Sequence, residues 1–441
     1  MFETFVIFSP LIIPGVIILI IGVIYFLDLF PVLIPLYVSL LDSGLGLFIK
    51  SAIFWLPFFL GFVFWKIWIQ YVRANYFFGL KYILLEIKLP QDVFKSPLAM
   101  ETFLMSLYQT GSEATWIDRI IKGQTRAEFS LEIVSIEGVV KFYIRAQKKF
   151  KGLIEPGLYA QYPNIEIHEA SDYTKSVHFD RKDMDLYITD YILTQPDAYP
   201  IKTYVDYGIE KESVDEEYKI DPINTVLEFM GSIGANQQCW LQIMIKAHKK
   251  EQIKPGKFFW QNEIIDHWKE KGKEEIEKIR KAGLTKDDPT AKFPNPTKGQ
   301  QERIAAIERS ASKLAFDAGI RCLYIGKNGF FNKDNIGPVR GLLRAYSAEH
   351  LNGFKPKHKL GDFDYPWQDF RDIRQNKIKK HGLESAKRRC YFYPPYNETP
   401  VIVLNVEELA SIFHLPGRVA TTPTLSLIPS KKSQAPANLP I

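Results

Sequence analysis

Cysteine is scarce in this chain of 441 residues. Cys239, Cys322 and Cys390 lie far apart, and they form no CxxC pair and no Cys/His spacing of a zinc-ligand set. A disulfide framework or a zinc site would require clustered or regularly spaced ligands. The sequence therefore predicts neither of these, and so few cysteines favour a reducing compartment.

Motifs for nucleotide binding and catalysis are missing as well. Gly326 and Lys327 resemble the end of a phosphate-binding loop, but Arg321 stands where its first glycine should be and Asn328 where its serine or threonine should be. The eight histidines form no HExxH, HxH or HxxxH pattern, and no serine lies in a GxSxG turn. We therefore predict no catalytic residue, no metal and no cofactor, and a chain that is not an enzyme.

Charge is absent from the first apolar run, Phe5–Leu27, and a second apolar run covers Ser51–Trp65. At about 1.5 Å per residue, the first run as a helix covers the roughly 30 Å hydrocarbon core of a bilayer. The second run is long enough when it is extended back to Gly44, with Lys50 reaching the headgroups. Residues 1–75 are therefore predicted to form a transmembrane helical hairpin.

The same residues leave alternatives to this hairpin. A cleaved signal peptide or a buried core hairpin fits poorly, because the chain lacks a basic start and continues into a second apolar run. The segment Leu29–Leu41 is apolar but only 13 residues long, and it contains Pro31 and Pro35. It favours a helix extension or an interfacial segment over a third crossing, but the number of crossings stays open.

Basic residues follow the second run closely. Lys66, Arg73, Lys81 and Lys88 crowd the sequence after it, whereas the segment between the runs carries little positive charge. The positive-inside rule then places the large C-terminal part in the cytoplasm. The lipid bilayer is the first expected partner.

The remainder of the chain is predicted to be α+β, with domains at 76–175 and 176–420 and a flexible tail at 421–441. The first domain shows the order β-α-β-β-α-β of a ferredoxin-like sandwich. Its predicted elements are a strand over 81–89, a helix from Ser96 to about Tyr108, strands Arg126–Ile136 and Val139–Ala146 joined by Glu137–Gly138, a helix containing Phe150, Ile154, Leu158 and Tyr162, and a strand Ile165–Glu169.

The second domain is predicted to repeat this order around a long charged insertion, 248–298. Within the insertion, Trp260–Lys281 is predicted to be a solvated helical projection, because few apolar residues interrupt its Lys and Glu. The other predicted elements are strands Tyr199–Tyr207, Trp240–Ala247, Arg321–Gly326 and Val401–Leu404, and helices from Asp221 to Met230, Gln300 to Ala318 and Gly337 to Leu351.

A basic run between residues 371 and 389 is the strongest electrostatic feature. Aromatic residues precede it, including Tyr365 and Trp367, and others follow it, including Tyr391 and Phe392. Such a run grips the phosphates and bases of a nucleic acid, lies on acidic lipid headgroups, or forms a solvated helix face between core aromatics. The candidate contact residues are Arg371, Arg374, Lys377, Lys379, Lys380, Lys387, Arg388 and Arg389.

Several sequence phrases resemble a known family region. LNVEELASIFHLPG (Leu404–Gly417) and TPTLSLIPSKKSQAPANLP (Thr422–Pro440) resemble the lead-in to the motor domain of DNA-pumping ATPases of conjugative type IV secretion in bacteria with reduced genomes. The opening FETFVIFSPLIIPG, the passage LLEIKLPQDVFKSPLAMETFL and the strand CWLQIMIKA resemble the same N-terminal region. The resemblance implies a membrane and adaptor portion without the motor, since no Walker A loop follows.

Together these observations predict a non-catalytic scaffold anchored in the bacterial inner membrane, with its C-terminal domains in the cytoplasm. The resemblance implies a separate DNA-translocating ATPase as its partner, and a homo-oligomer is a further candidate assembly. The alternative function is a membrane-associated nucleic-acid-binding module that uses the basic run 371–389.

Overall fold

The computed structural model describes residues 33–90, 96–113, 115–210, 220–249, 252–254, 263–282, 297–358, 365, 367–416 and 427–428. The chain divides into two compact units, Met1–Ala74 and Asn75–Ile441. The first apolar run, Phe5–Leu27, lies outside the described residues, as does most of the predicted tail.

A single long helix, α1 (Leu33–Gly79), contains the second apolar run. Its 47 residues extend for about 70 Å at the helical rise per residue. Within it, Phe54–Gly79 is long and apolar enough to cross a membrane, with a mean hydropathy of 1.3. Residues 33–41 continue in this helix without a break. The hairpin itself stays a prediction, because its first run is not among the described residues.

Twelve strands are assigned in the described residues. They are β1 (Tyr82–Pro90), β2 (Glu128–Ile136), β3 (Val139–Gln147), β4 (Glu166–Ala170), β5 (Met184–Leu193), β6 (Gln237–Ala247), β7 (Gln252–Lys254), β8 (Glu263–Ile265), β9 (Ala315–Lys327), β10 (Phe354–His358), β11 (Ile402–Asn405) and β12 (Leu427–Ile428). Strands β7 and β8 pair only with each other, and the other ten form one sheet.

The ten-stranded sheet has the order β10-β5-β9-β6-β2-β3-β1, and β4 and β12 both pair with β1 at the end of this order. Beyond the residues where β5 pairs with β9, β11 pairs with the start of β9. Every pair described in this sheet is antiparallel except β1 with β12. The fold is therefore mixed α+β around one antiparallel sheet.

Both halves of the sheet use the same strand order. If the four strands of each half are numbered along the chain, each half has the order 4-1-3-2. The halves meet where β2 pairs with β6, from Glu128 opposite Lys246 to Ile136 opposite Gln238. The order is therefore a palindrome about this junction, and a continuous hydrogen-bond ladder joins the two regions that the sequence predicts as separate domains.

Nine further α-helices surround the sheet in the described residues. They are α2 (Pro97–Ser106), α3 (Trp116–Ile120), α4 (Lys151–Gln161), α5 (Ile223–Gly231), α6 (His267–Ala282), α7 (Lys298–Ser312), α8 (Ile336–Gly341), α9 (Ile373–Arg388) and α10 (Val406–Ile412). Since neighbouring residues of a strand point to opposite faces, Leu85 packs in the core with α2, α4, α5 and α10, whereas Leu84 belongs to the core beneath α9.

The first half confirms the strands and helices predicted from local patterns. Ser96 caps α2 by accepting a hydrogen bond from the N–H of Leu98, at 3.3 Å, as its place before a proline indicates. Glu137 and Gly138 have φ of 54° and 87°, the positive values that a two-residue hairpin turn requires. Strands β2 and β3 consequently pair across this turn.

In the second half, some of the predicted strands are wrong. Tyr199–Tyr207 is not a strand: it forms turns, in which the Tyr204 N–H donates to the Ser411 hydroxyl at 2.9 Å. The first strand of this half is β5, an acidic segment that none of the elements predicted above includes. Those carboxylates have partners supplied from elsewhere, since Asp185 pairs with Lys379 and Asp190 with Arg321.

Two further boundaries and one placement also differ from prediction. The helix predicted to end at Ala318 ends at Ser312, because β9 begins at Ala315. The helix predicted over 337–351 is only α8 followed by a short 3-10 turn. Helix α6 is not a free projection, since Ile279 packs in a cluster with Ile304 and Ile307 of α7.

Candidate functional site

Helix α9 carries most of the basic run and packs against the sheet. Leu383 and Ala386 belong to its buried contact with the strands. Gly382 lies where a β-carbon would come within 2.8 Å of Ile188 Cδ1. A residue without a side chain therefore lets the helix approach β5 closely, and the approach fixes which cations face inward.

Arg389, the last of the predicted contact residues, is buried beneath the end of α9. Its Nε and NH2 donate to Glu132 at 2.9 and 3.2 Å, and its NH1 and NH2 donate to Asp172 at 2.7 and 2.9 Å. NH1 also donates to the Thr174 hydroxyl at 3.2 Å. This geometry is the bidentate pairing for which a planar guanidinium is suited. Arg389 is therefore placed inside the fold and away from the surface.

The carboxylates around Arg389 are held by further hydrogen bonds. Tyr173 donates its hydroxyl hydrogen to Glu132 at 2.8 Å and accepts one from Gln242 at 3.0 Å. Burial lowers the pKa of Arg389, but the charge of Glu132 and the hydrogen bonds to Asp172 and Glu132 outweigh it and raise the pKa well above its ordinary value. The guanidinium therefore stays charged, and the cluster ties α9 to β2 and β6.

Two lysines of the run also have partners within the protein. Lys379 is 8 % exposed, and its ammonium group pairs with Asp185 of β5. Lys387 donates from Nζ to the Val177 carbonyl oxygen at 2.9 Å. These contacts fasten α9 to β5 and to the segment before it.

The other candidate cations face solvent. Arg388 lies at the end of α9 and pairs with Glu384 one helical turn away, at 3.7 Å. The other exposed cations lie in or just before the first half of α9. The exposed cations are Arg371, Arg374, Lys377, Lys380 and Arg388.

The aromatic residues on the two sides of the run have different environments. Tyr391 and Phe392, which follow it, are 1 % and 8 % exposed. Tyr365 and Trp367, which precede it, are 53 % and 78 % exposed and stack with ring centroids 4.7 Å apart. The aromatic residues that follow the run are therefore core residues, whereas Tyr365 and Trp367 before it are exposed to solvent.

Phe370 and Ile373 enlarge the exposed aromatic region, with 70 % and 63 % of their surfaces accessible. The Arg371 guanidinium lies 5.1 Å from the centroid of the Phe370 ring. Apolar and basic side chains thus lie together at the start of α9. We call this set the basic-aromatic patch: Tyr365, Trp367, Phe370, Arg371, Ile373, Arg374, Lys377 and Lys380.

A second buried arginine lies between α9 and the second half of the sheet. Arg321 of β9 donates from Nε to Asp190 at 2.9 Å and from NH1 to the Ser385 hydroxyl at 2.6 Å. Thr399 donates its hydroxyl hydrogen to Asp190 at 2.7 Å. Sequence spacing gives no signal for this cluster, because its members come from four separate segments.

A cluster of His248, Asp266 and Asp317 was also not predicted from the sequence. His248, just after β6, has Nδ1 2.5 Å from Asp317 and Nε2 3.3 Å from Asp266. Burial lowers the His248 pKa, but bonds and charges from both carboxylates outweigh it and raise the pKa. Since carboxylates only accept hydrogen bonds, both ring nitrogens donate when the ring is an imidazolium.

A cavity of about 460 Å³ opens beside His248 and is lined by Tyr108, Lys249 and Lys313, among others. The Tyr108 hydroxyl donates to the His248 carbonyl oxygen at 2.6 Å. Lys313 is already engaged by Glu101 and Glu407, at 2.7 and 2.8 Å. Opposite charges therefore compensate one another around the cavity. In the described residues no group of three or more His, Cys, Asp or Glu side chains is arranged to hold a metal.

Comparison with known protein families finds one that matches this chain. A model for a domain of unknown function, DUF8128, matches residues 83–427. The chain belongs to the DUF8128 family. The DUF8128 match includes the ten-stranded sheet except its first and last residues, both buried arginine clusters and the basic-aromatic patch, and it begins after the candidate membrane span. No curated protein matches the chain.

Proposed function

We propose that this chain is a membrane-anchored, non-catalytic scaffold of the bacterial inner membrane. The observation that carries the proposal is the surface of α1. In its most apolar window only 6 % of residues are buried within the protein, and Phe58 and Phe62 are 82 % and 58 % exposed. Exposure of this apolar surface to water would cost much free energy, and its insertion into the hydrocarbon core of a bilayer would avoid that cost.

The orientation follows from the charges after the apolar residues. Arg73, Lys81 and Lys88 belong on the cytoplasmic side by the positive-inside rule. The first run, Phe5–Leu27, would then supply the other helix of a transmembrane hairpin. The sheet-containing unit lies in the cytoplasm in this arrangement.

The sheet serves this scaffold as two ferredoxin-like halves joined edge to edge. The 4-1-3-2 order with antiparallel neighbours, present in each half, supports this interpretation. The β2–β6 ladder would hold the two halves together as one unit of this scaffold.

The partner in this proposal is a separate DNA-translocating ATPase, which would supply the motor of a type IV secretion-like or conjugation-like apparatus. Its support is the resemblance of Leu404–Gly417 and the other quoted phrases. Homo-oligomers would be a further level of the same assembly.

Anchoring can be tested by extracting membranes at alkaline pH, which releases peripheral proteins and leaves spanning ones. We expect the chain to stay in the pellet, and a variant with Phe58→Asp and Phe62→Asp to be released or degraded, because charges are costly in hydrocarbon. The control is Trp116→Asp with Ile117→Asp, two exposed apolar sites outside α1. Release of the wild-type chain would contradict the proposal.

The partner can be tested by cross-linking in intact membranes, gentle solubilisation and recovery of the chain. We expect a motor ATPase among the recovered proteins in amounts comparable to the chain. Repeated recovery of the chain without any ATPase would remove this partner from the proposal and leave the anchor untouched.

The second candidate function is nucleic-acid binding, and the stacked Tyr365–Trp367 pair beside exposed cations favours it. The variants Arg374→Ala and Lys377→Ala test it, because Arg389 is occupied inside the fold. We expect affinity for single-stranded DNA that falls steeply with salt and is weaker in these variants. Binding that is insensitive to salt, or no binding, would exclude this function.

A further inference from the structure

The basic-aromatic patch combines exposed side chains of opposite solubility. Trp367, Phe370 and Ile373 are 78 %, 70 % and 63 % exposed and lie within seven residues of one another. Large apolar groups clustered at one place on a soluble surface commonly mark an interaction site. Their neighbours Arg374 and Lys377 face solvent on the same helix.

Between residues 367 and 380, the two acidic side chains have partners other than the side chains of the exposed cations. Asp369 is 8 % exposed and accepts the backbone N–H groups of Arg374 and Gln375, at 2.8 and 2.7 Å. Asp372 pairs with Arg181 at 2.5 Å. These carboxylates therefore fix the start of α9, and the charged side chains of the patch itself are all basic.

The chemistry of the patch is complementary to an acidic lipid surface. Trp and Tyr are favoured at the depth of lipid headgroups, and Phe and Ile partition into the acyl boundary below them. Arg and Lys are attracted to anionic headgroups, which are enriched on the cytoplasmic leaflet. Exposed Ile373 favours a bilayer over nucleic acid, because an aliphatic side chain offers no flat face for a base.

Covalent attachment to a membrane helix would strengthen a weak surface contact. A tether converts the second binding event into an intramolecular one with a high effective concentration. We propose that the basic-aromatic patch is a second membrane contact, which inserts Trp367, Phe370 and Ile373 among acidic lipid headgroups. This inference rests on the proposed membrane anchor.

The test uses the full chain reconstituted into vesicles, with an environment-sensitive dye on Ile373→Cys. Cys390→Ser removes the thiol that is partly accessible, and Cys239 and Cys322 are buried. Quenching by neutral acrylamide is compared in vesicles of pure phosphatidylcholine and of phosphatidylcholine with a quarter phosphatidylglycerol. We expect acrylamide quenching of the dye at residue 373 to be at least about twofold weaker in the vesicles that contain acidic lipid. In 1 M salt the quenching should return to its value in pure phosphatidylcholine.

Charge variants separate this contact from nonspecific attraction. Arg374→Glu with Lys377→Glu should restore full quenching in acidic vesicles. Lys273→Glu with Lys281→Glu on α6 changes the net charge equally and should leave the protection intact. A dye on Leu98→Cys, on the opposite side of the sheet and 49 % exposed, should be quenched equally in both vesicles.

A dye on Phe58→Cys keeps the two proposals distinguishable. If this dye is protected while the dye at residue 373 is quenched equally in both vesicles, the patch proposal is wrong and the anchor stands. If the dye at residue 58 is itself freely quenched, the anchor is wrong. Protection at residue 373 by an oligonucleotide, without protection by acidic lipid, would overturn the lipid proposal and favour nucleic acid.

Discussion

The two ends of α9 carry the same kinds of residue in opposite environments. At its start, Arg374 and Lys377 face solvent beside exposed Trp367. At its end, Arg389 is 3 % exposed and pairs with Glu132 and Asp172. The difference shows that the two ends of the run have different roles: the buried end binds the helix to the sheet as a structural clamp, whereas the start is exposed to solvent.

The largest loss of folding stability is expected from a substitution at the buried end of α9. Arg389→Met should lower the free energy of unfolding by about 3–5 kcal/mol, because Glu132 loses its cation while staying buried. Urea unfolding of the full chain in detergent micelles measures this change. Arg388→Met, at the neighbouring exposed position, is the matched control and should leave the midpoint nearly unchanged. Equal effects of the two variants would refute the division of the helix.

The packing beside the clamp gives the next largest expected effect. Gly319 of β9 lies where a β-carbon would come within 2.3 Å of the Tyr391 ring. Gly319→Ala should therefore destabilise the fold by about 1–3 kcal/mol through overpacking. Gly341→Ala is the control, since its β-carbon would meet no atom within 4 Å. Thermal unfolding of both variants decides whether the end of α9 is held this tightly.

His248 provides a smaller, pH-dependent comparison with the permanently charged clamp. Its pKa is raised in the folded chain, so its stabilising contribution is complete below the unfolded pKa of about 6.5 and is lost as pH rises through the folded value. The stability difference between wild type and His248→Gln should thus shrink from pH 6 to pH 9. For Arg389→Met the difference should stay constant. A His248 difference that grows with pH would show that the imidazolium is not the stabilising form.

The smallest effect on folding is expected at the start of α9. Arg374→Met with Lys377→Met should leave the urea midpoint unchanged, because in the part of the chain that the structure describes neither side chain has a buried partner that would be left unpaired. The same substitutions should abolish the protection by acidic lipid proposed above. A marked loss of stability would show that these cations, like Arg389, serve the fold.

Local patterns predicted those elements whose causes are local. The alternation in β1, the proline after Ser96 in α2 and the Glu137–Gly138 turn all specify their conformations through adjacent residues. Strand β5 was missed because Asp185 and Asp190 suggest solvent. Their cationic partners lie 194 and 131 residues away in the chain, so no local pattern contains them.

The candidate site was predictable only as a region. Sequence marked the basic run and its aromatic flanks but could not tell Trp367 from Tyr391, since both are aromatic residues next to cations. Burial separates them: Tyr391 lies over Gly319, whereas Trp367 faces solvent. The cluster of His248, Asp266 and Asp317 gave no signal, because its members are 18 and 69 residues apart.

By itself, the sequence determined the apolar N-terminal segment, the α+β class and the concentration of positive charge between residues 371 and 389. These properties depend only on the composition and order of residues that are neighbours in the sequence. The tertiary structure decided that two strand sets join as one sheet, and that Arg389 is clamped while Arg374 is exposed. Those outcomes depend on which distant carboxylates the fold brings within hydrogen-bonding distance, and composition and spacing carry no such information.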